Sequence, residues 1–328
     1  MAKRKTILSG MRPTGRLHLG HLVGALENWV ALQGEYDNYH LIADYHALTT
    51  NPDSSGLRAS SIDMLIDWLA AGIDPARSPV FRQSQIKEHT ELHLILSMLI
   101  TAARLERNPA VKDQVRDLNI ENVSYGHLGY PVLQAADILL YRGDLVPVGE
   151  DQVPHVEIAR EIARRFNNQY GTVFPEPEPK LTHFPRLPGL DGLDRKMSKS
   201  AGNTILLADP PGEILRKMKT AVTDPRKVRK NDPGRPEVCL VYRYHQKFNA
   251  AGAPEIDAGC RSGALGCVEC KTKIAGVVAE TLAPLRERRA HFESKPDEVL
   301  AILDQGETRA RARARETMGS VRQAMHLG

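Results

Sequence analysis

Residues 11–21 read MRPTGRLHLGH, and the placement of this stretch decides the fold. It follows a short β-favouring run, Thr6-Ile7-Leu8-Ser9, and leads into a helical pattern with apolar Leu22, Ala25, Leu26 and Trp29. The expected order is therefore strand, glycine-bearing loop, helix start. Glycine lets the loop backbone come close to a ligand, and the N-terminus of the next helix would face that ligand, where an anion is favoured. His18 and His21 flank the turn, so two imidazoles could donate hydrogen bonds to phosphate oxygens as charge builds in a transition state. A nucleotide site is implied, without a P-loop lysine.

Outward from this stretch, strand and helix patterns alternate. Strands are expected at 39–43, 79–81 and 145–148. Helices are expected at 57–71, with Ile62, Leu65, Ile66 and Leu69 on one stripe, at 89–103, and after 148 through Val156, Ala159, Ile162 and Phe166. The pattern predicts an α/β, doubly wound parallel sheet of Rossmann-like type, with ligands outside the carboxyl ends of its strands. His18 and His21, residues 44–46 and residues 149–152 all follow strands and should meet at that edge. From Gly171 the chain turns proline-rich (Pro175, Pro177, Pro179, Pro185, Pro188) and reads as a linker. Beyond it, 211–222, 271–288 and the tail from Glu307, with Ala310, Ala314, Met318, Val321 and Met325 on one face, read as helical. The expected division is a catalytic domain at 1–195 and a smaller, mostly helical domain at 196–328.

At 328 residues, 41% apolar and 26% charged, the chain can bury a proper core in one or two domains, and its net charge of +4 suits a polyanionic partner. The basic start, Met1 to Lys5, precedes an apolar run too short for a signal peptide, and no later stretch is expected to span a bilayer. A cytoplasmic protein is expected. In a reducing compartment the four cysteines, spaced C-x20-C-x6-C-x2-C at Cys239, Cys260, Cys267 and Cys270, suggest a metal centre: tetrahedral zinc or a four-iron cluster. The basic runs Arg226, Lys227, Arg229, Lys230 and Arg309, Arg311, Arg313, Arg315 could meet RNA phosphates or simply be solvated. His89 and His93 sit four apart with no third metal ligand, so a surface or subunit contact is expected for them. There is no repeat and no low-complexity tract.

Far from the histidine turn lies Lys196-Met197-Ser198-Lys199-Ser200, two ammonium groups flanking small hydroxyls on a loop that could close over a triphosphate. An HxGH quartet alone fits cytidylyltransferases and pantothenate synthetase as well. HLGH paired with KMSKS resembles class I aminoacyl-tRNA synthetases. Residues 130–152, YPVLQAADILLYRGDLVPVGEDQ, would place Tyr130, Gln134 and Asp137 on one helix face. A carboxylate buried there needs a donor, and an indole N–H, which only donates, suits it. Through YPVLQAAD and VPVGEDQ the chain resembles tryptophanyl-tRNA synthetases in particular. Tyrosyl-tRNA synthetases usually have tyrosine where this chain has Ala136 and a GGxDQ-type loop where it has VGEDQ. A second rival is a silent paralogue that only binds RNA or protein, against which the intact histidines and lysines speak.

The resemblance implies ATP-dependent activation of L-tryptophan, with Mg²⁺, and its transfer to tRNA(Trp). It implies a tryptophan pocket of Leu8, His46, Tyr130, Gln134, Asp137, Val146, Val148 and Gln152. Gln134 departs from the methionine many bacterial members carry. ATP would be held by Arg12, Pro13 and Thr14, by Gly20 and His21, by Gly149, Glu150 and Asp151, by Leu187, and by Lys196, Met197, Ser198, Lys199 and Ser200. Arg12 replaces a frequent glutamine. His18, His21, Lys112, Lys196 and Lys199 would stabilise the transition state. CRSGALGCVECK resembles a bacterial subset with a [4Fe–4S] cluster, which favours the cluster over zinc. Its role would be structural and anticodon-contacting, since the cysteines are expected in a domain opposite the HLGH and KMSKS chemistry. A homodimer, with tRNA lying across both subunits, is likewise implied.

Overall fold

The structure, a computed structural model, describes residues 4–117, 119–181 and 187–327, apart from the side chain of Asp151. Two compact units make up the chain. Met1–Gly15, Glu27–His183 and Lys295–Gly328 form the first, and Arg16–Leu26 and Phe184–Ser294 the second. This differs from a cut at 195 in two respects. The tail helix belongs to the first unit, because its apolar face of Ala310, Ala314, Met318 and Val321 joins that unit's hydrophobic core. The HLGH turn belongs to the second unit, together with the lysine loop and the four cysteines.

The first unit is built on five parallel strands, β1 (Thr6–Met11), β2 (Asp37–Ile42), β3 (Val80–Arg82), β4 (Leu145–Val148) and β5 (Glu178–Leu181), in the order β3-β2-β1-β4-β5. The strand order reverses at β1, which places the topological switch point between β1 and β4. β5 lies in the proline-rich stretch expected to be a linker. As the edge strand it needs hydrogen bonds on one side only, and so tolerates Pro179. Pro185 lies outside the described residues.

The helix Leu57–Ala71 matches expectation and stops at Gly72, whose φ of 113° is a left-handed cap that glycine adopts readily. The helix expected at 89–103 is instead Glu88–Ser97 followed by Ala102–Glu106, because Thr101 caps a new start: its hydroxyl accepts the Arg104 N–H at 3.3 Å. Ser124 caps Tyr125–Leu140 in the same way, accepting the His127 N–H at 3.1 Å.

The tail helix Pro296–Ala324 passes against β3. A Cβ at Gly306 would collide with the Val80 carbonyl oxygen, and beside it Arg82 Nε donates to Glu307 at 2.6 Å. The tail arginines, weighed between RNA contact and plain solvation, make bonds within their own unit. Arg309 donates to the carbonyls of Pro75 (2.7 Å) and Ala76 (3.0 Å), Arg311 to that of Gln85 (3.1 Å), Arg315 to Glu88 (3.4 Å) and Arg313 to Glu316 (2.9 Å).

In the second unit the helices Pro211–Thr220, Leu240–Phe248, Ala253–Ser262 and Cys267–Glu293 bury Ile214, Met218, Tyr244, Ile274, Val278 and Leu282. The HLGH turn is held to 205–207 by backbone bonds from Leu19 N–H to the Ile205 carbonyl and from Leu207 N–H to the Leu17 carbonyl, each 2.9 Å. Of the other basic run, Lys227 turns inward to the carbonyls of Lys230 and Asp232, while Arg226, Arg229 and Lys230 are exposed.

Candidate active site

In the first unit a buried polar cluster is built by four local elements. β2 runs into the short helix Asp44–Leu48, which presents His46; the turn Gln83–Gln85 after β3 presents Gln83; Glu88–Ser97 presents His89; and Tyr125–Leu140 presents Tyr130 and Asp137. Asp137 is 2% exposed. Its Oδ1 accepts from Gln83 Nε2 at 2.7 Å and His89 Nδ1 at 2.6 Å, and its Oδ2 from His46 Nε2 at 2.9 Å. Burial alone would raise this carboxyl, but the hydrogen bonds from His46 and His89 outweigh it and hold the group below the ordinary carboxylate range. The cluster thus keeps a buried, ionised acceptor.

His89 is completely buried, so the surface or subunit contact expected for it is overturned; His93, one turn on, is half-buried. Gln83, His89 and Tyr141, whose hydroxyl lies 2.9 Å from His89 Nε2, are the members sequence reading missed. The available signal was the carboxylate itself, since a buried Asp137 has to find donors somewhere. Around the cluster, the Tyr130 hydroxyl lies 3.1 Å from His155 Nε2, and the Tyr130 and His46 ring centroids are 6.5 Å apart. Leu8, Val146 and Val148 are buried in the same unit's core, and Gln134 and Gln152 are half-buried. Arg12 is exposed, with NH1 3.4 Å from the Thr50 hydroxyl; Pro13 is buried and Thr14 exposed. Gly149 leads the short turn Glu150–Gln152, on which Glu150 is exposed, and the Asp151 side chain lies outside the described residues. Lys112 is exposed on the helix Pro109–Asp117.

In the second unit the structure brings the histidine turn and the lysine loop together. The His18 and His21 ring centroids are 3.8 Å apart, and His21 Nδ1 accepts the His18 backbone N–H at 3.3 Å. His18 is 6% exposed, and its Nδ1 is buried without a hydrogen-bond partner among the described residues. Burial first, then the positive charges of Lys199 and Lys196, lower the His18 pKa to about 4; burial, His18 and the same lysines lower that of His21 to about 3. Both rings are therefore neutral near pH 7. A Cβ at Gly20 would stand 3.0 Å from the His18 ring, so a side chain there would press the imidazole out of place.

Asn203, which sequence reading also missed, shapes the lysine loop. It accepts the Ser198 N–H at 2.7 Å and donates to the Lys196 carbonyl at 3.0 Å and to Asp191 at 2.6 Å. Lys199 Nζ donates to the Arg16 carbonyl at 3.0 Å, Lys196 is exposed, and the Ser198 and Ser200 hydroxyls are 2.8 Å apart. Leu187 is buried just before the bridge that pairs Pro188 with Lys196. Neutral imidazoles beside two ammonium groups suit a ligand carrying several negative charges.

Cys239, Cys260, Cys267 and Cys270 line one small cavity with Thr223, Lys227, Val241 and Leu265. Cys267 and Cys270 start the helix Cys267–Glu293, and His245 Nε2 lies 3.4 Å from the Cys270 sulfur. Burial and the neighbouring thiols push the Cys270 thiol up to about 12. No group of three or more His, Cys, Asp or Glu among the described residues gathers as a site for a single metal ion. Four sulfur donors therefore face one cavity.

Residues 2–283 match the family described as tRNA synthetases class I (W and Y). A tryptophan–tRNA ligase of Thermotoga maritima is 49% identical over 326 residues, covering 98% of this chain and 99% of its own. One of Aquifex aeolicus is 42% identical, covering 98% and 99%. Among solved structures, tryptophanyl-tRNA synthetase from Campylobacter jejuni, complexed with ADP and tryptophan, is 35% identical with a TM-score of 0.88, covering 98% of this chain and 100% of its own.

Proposed function

The chain belongs to the class I tRNA synthetases of the tryptophan and tyrosine family, and from that membership we propose how its residues carry out the work of a tryptophan–tRNA ligase. It activates L-tryptophan with ATP to tryptophanyl-adenylate and passes the amino acid to tRNA(Trp). The observation that carries the choice of amino acid is the buried, ionised Asp137, an obligate acceptor held by His46, Gln83 and His89. An indole N–H is an obligate donor that fits it.

Activation needs no protein nucleophile, because the carboxylate of tryptophan attacks the α-phosphorus of ATP and pyrophosphate leaves. His46, Tyr130, Gln134 and Gln152, with Leu8, Val146 and Val148, hold the amino acid. Arg12, Pro13, Thr14, Gly20, Gly149, Glu150, Asp151, Leu187 and the lysine loop hold ATP. His18 and His21 donate to phosphate oxygens as neutral imidazoles, while Lys112, Lys196 and Lys199 offset the charge that develops on the leaving group. Mg²⁺ supplies further neutralisation of the polyphosphate. A terminal ribose hydroxyl of the tRNA then attacks the mixed anhydride.

Cys239, Cys260, Cys267 and Cys270 would hold a [4Fe–4S] cluster, with zinc the alternative, tying the start of Leu240–Phe248 and the end of Ala253–Ser262 to the first turn of Cys267–Glu293. The helical segment carrying it would read the anticodon. The reading includes a homodimer. No helix of the described residues is long and apolar enough to cross a membrane, and the reaction serves translation in the cytoplasm. ATP–pyrophosphate exchange with each protein amino acid in turn tests the reading. Exchange with tryptophan alone is expected; exchange driven by tyrosine, or by no amino acid, would overturn it.

A further inference from the structure

Asp137 is served by more donors than recognition of one ligand group requires. Because a carboxylate only accepts, His89 carries its hydrogen on Nδ1, which donates to Oδ1 at 2.6 Å. Its other nitrogen, Nε2, 2.9 Å from the Tyr141 hydroxyl, is then left to accept the phenol hydrogen. The result is a one-way chain from Tyr141 through His89 to Asp137. It is sealed, with Tyr141 and His89 both 0% exposed. Aromatic rings enclose it: Phe81 stacks on His89 at 6.3 Å and 28°, and Tyr39 stacks on Tyr141 at 4.9 Å and 29°. Neither ring can swing away without disturbing the core under β2 and β3.

The terminal torsion of an aspartate side chain is broad, so the direction in which its two oxygens face is set by their partners. We infer that His89 and Tyr141 are positioning residues for tryptophan recognition: they hold Asp137 Oδ1, which turns Oδ2, the oxygen shared with His46, toward the ring N–H of the substrate. Gln83 also donates to Oδ1, but its Oε1 is buried without a hydrogen-bond partner among the described residues, so its amide is less firmly fixed than a ring bonded at both nitrogens. The inference rests on the reading of Asp137 as the indole acceptor.

The test compares kcat/KM in ATP–pyrophosphate exchange for L-tryptophan and for its benzothiophene analogue, in which sulfur replaces the ring N–H. Removing a charge-assisted donor to a buried carboxylate should lower the preference for tryptophan by about tenfold in His89→Leu. The loss should lie mainly in the KM for tryptophan, with the analogue changed by no more than about twofold. His89→Asn, whose amide keeps a donor near the Nδ1 position, should recover most of the preference. Tyr141→Phe, which keeps the ring and removes only the hydroxyl, should lose about threefold and decides the matter if His89→Leu does not fold. An unchanged preference in Tyr141→Phe and His89→Leu, or an equal loss for both substrates, would overturn the positioning role. Asp137→Leu, which leaves no acceptor at that position, separates the two ideas: if that variant keeps the preference, the indole reading itself is wrong and the inference falls with it.

Discussion

The sulfur of Met197 accepts the backbone N–H of Gly20 at 3.3 Å, so the lysine loop is fastened to the histidine turn through a side chain that carries no charge. The fastening uses neither of the ammonium groups that flank it. Met197 is itself buried, while Lys196 and Lys199 are exposed.

From this arrangement Lys199→Ala should slow adenylate formation by at least about a hundredfold while tryptophan affinity changes little, because the ammonium acts when phosphate charge is redistributed. Its present bond to the Arg16 carbonyl is a weak competitor for a triphosphate. Single-turnover formation of adenylate at saturating ATP is the measurement, and an unchanged chemical rate would remove Lys199 from the mechanism.

The acid side of the stability profile should depend on the same turn. An unfolded histidine titrates near about 6.5, whereas His18 and His21 are held at about 4 and about 3, so below about pH 6.5 the unfolded chain binds more protons than the folded one. Stability from these groups is complete above pH 6.5 and falls as the pH drops toward 4. The His18→Gln/His21→Gln double variant should therefore lose fewer degrees of Tm between pH 7 and pH 5 than the parent. Some slope will persist, since buried His40 is also lowered to about 3. Equal losses in the two proteins would rule out the turn as the source.

How much of this was legible follows from where each signal sits. β1 to β4 were readable because each is a short apolar run bounded by turns, and the HLGH and KMSKS stretches name their own chemistry. β5 was hidden because Pro179 weighs against a strand until its edge position is known. The tail helix was legible as a helix, but its unit was not: an apolar face does not say which core it joins. His89 was read as superficial because a His89–His93 pair looks the same whether it faces water or a carboxylate 48 residues away. Asn203 and Asp191 carry no local sign at all, since their work is to bond backbone on either side of a loop.

Gly306→Ala offers a test of the packing of the tail helix on β3. In an exposed helix this change would stabilise by about 1 kcal/mol. Here the new methyl meets the carbonyl oxygen of Val80, a backbone group in a strand paired with β2, which cannot shift cheaply. Overpacking should win, for a net loss of about 1–3 kcal/mol and a Tm lower by several degrees. A Tm at or above that of the parent would show that the helix can move off the sheet freely.

The last prediction concerns the four cysteines. Because they belong to the second compact unit, with the histidine turn and the lysine loop, and the Asp137 cluster belongs to the first, losing the metal should affect the two units unequally. Anaerobically purified protein should be brown, absorb broadly near ~400 nm and hold about four irons per chain, as a Cys₄-bound cubane does. Colourless protein with one zinc would replace the cluster by the alternative, and protein without metal would return the thiols to plain packing. Cys270→Ser removes a corner whose half-buried side chain lies near three other thiols and His245, so it should abolish most of the iron. In that variant equilibrium tryptophan binding should stay within about twofold of the parent, while an early thermal transition appears, since a bound group contributes to stability by as much as its binding favours the folded state. A loss of tryptophan affinity equal to the loss of iron would mean that the two units do not respond separately.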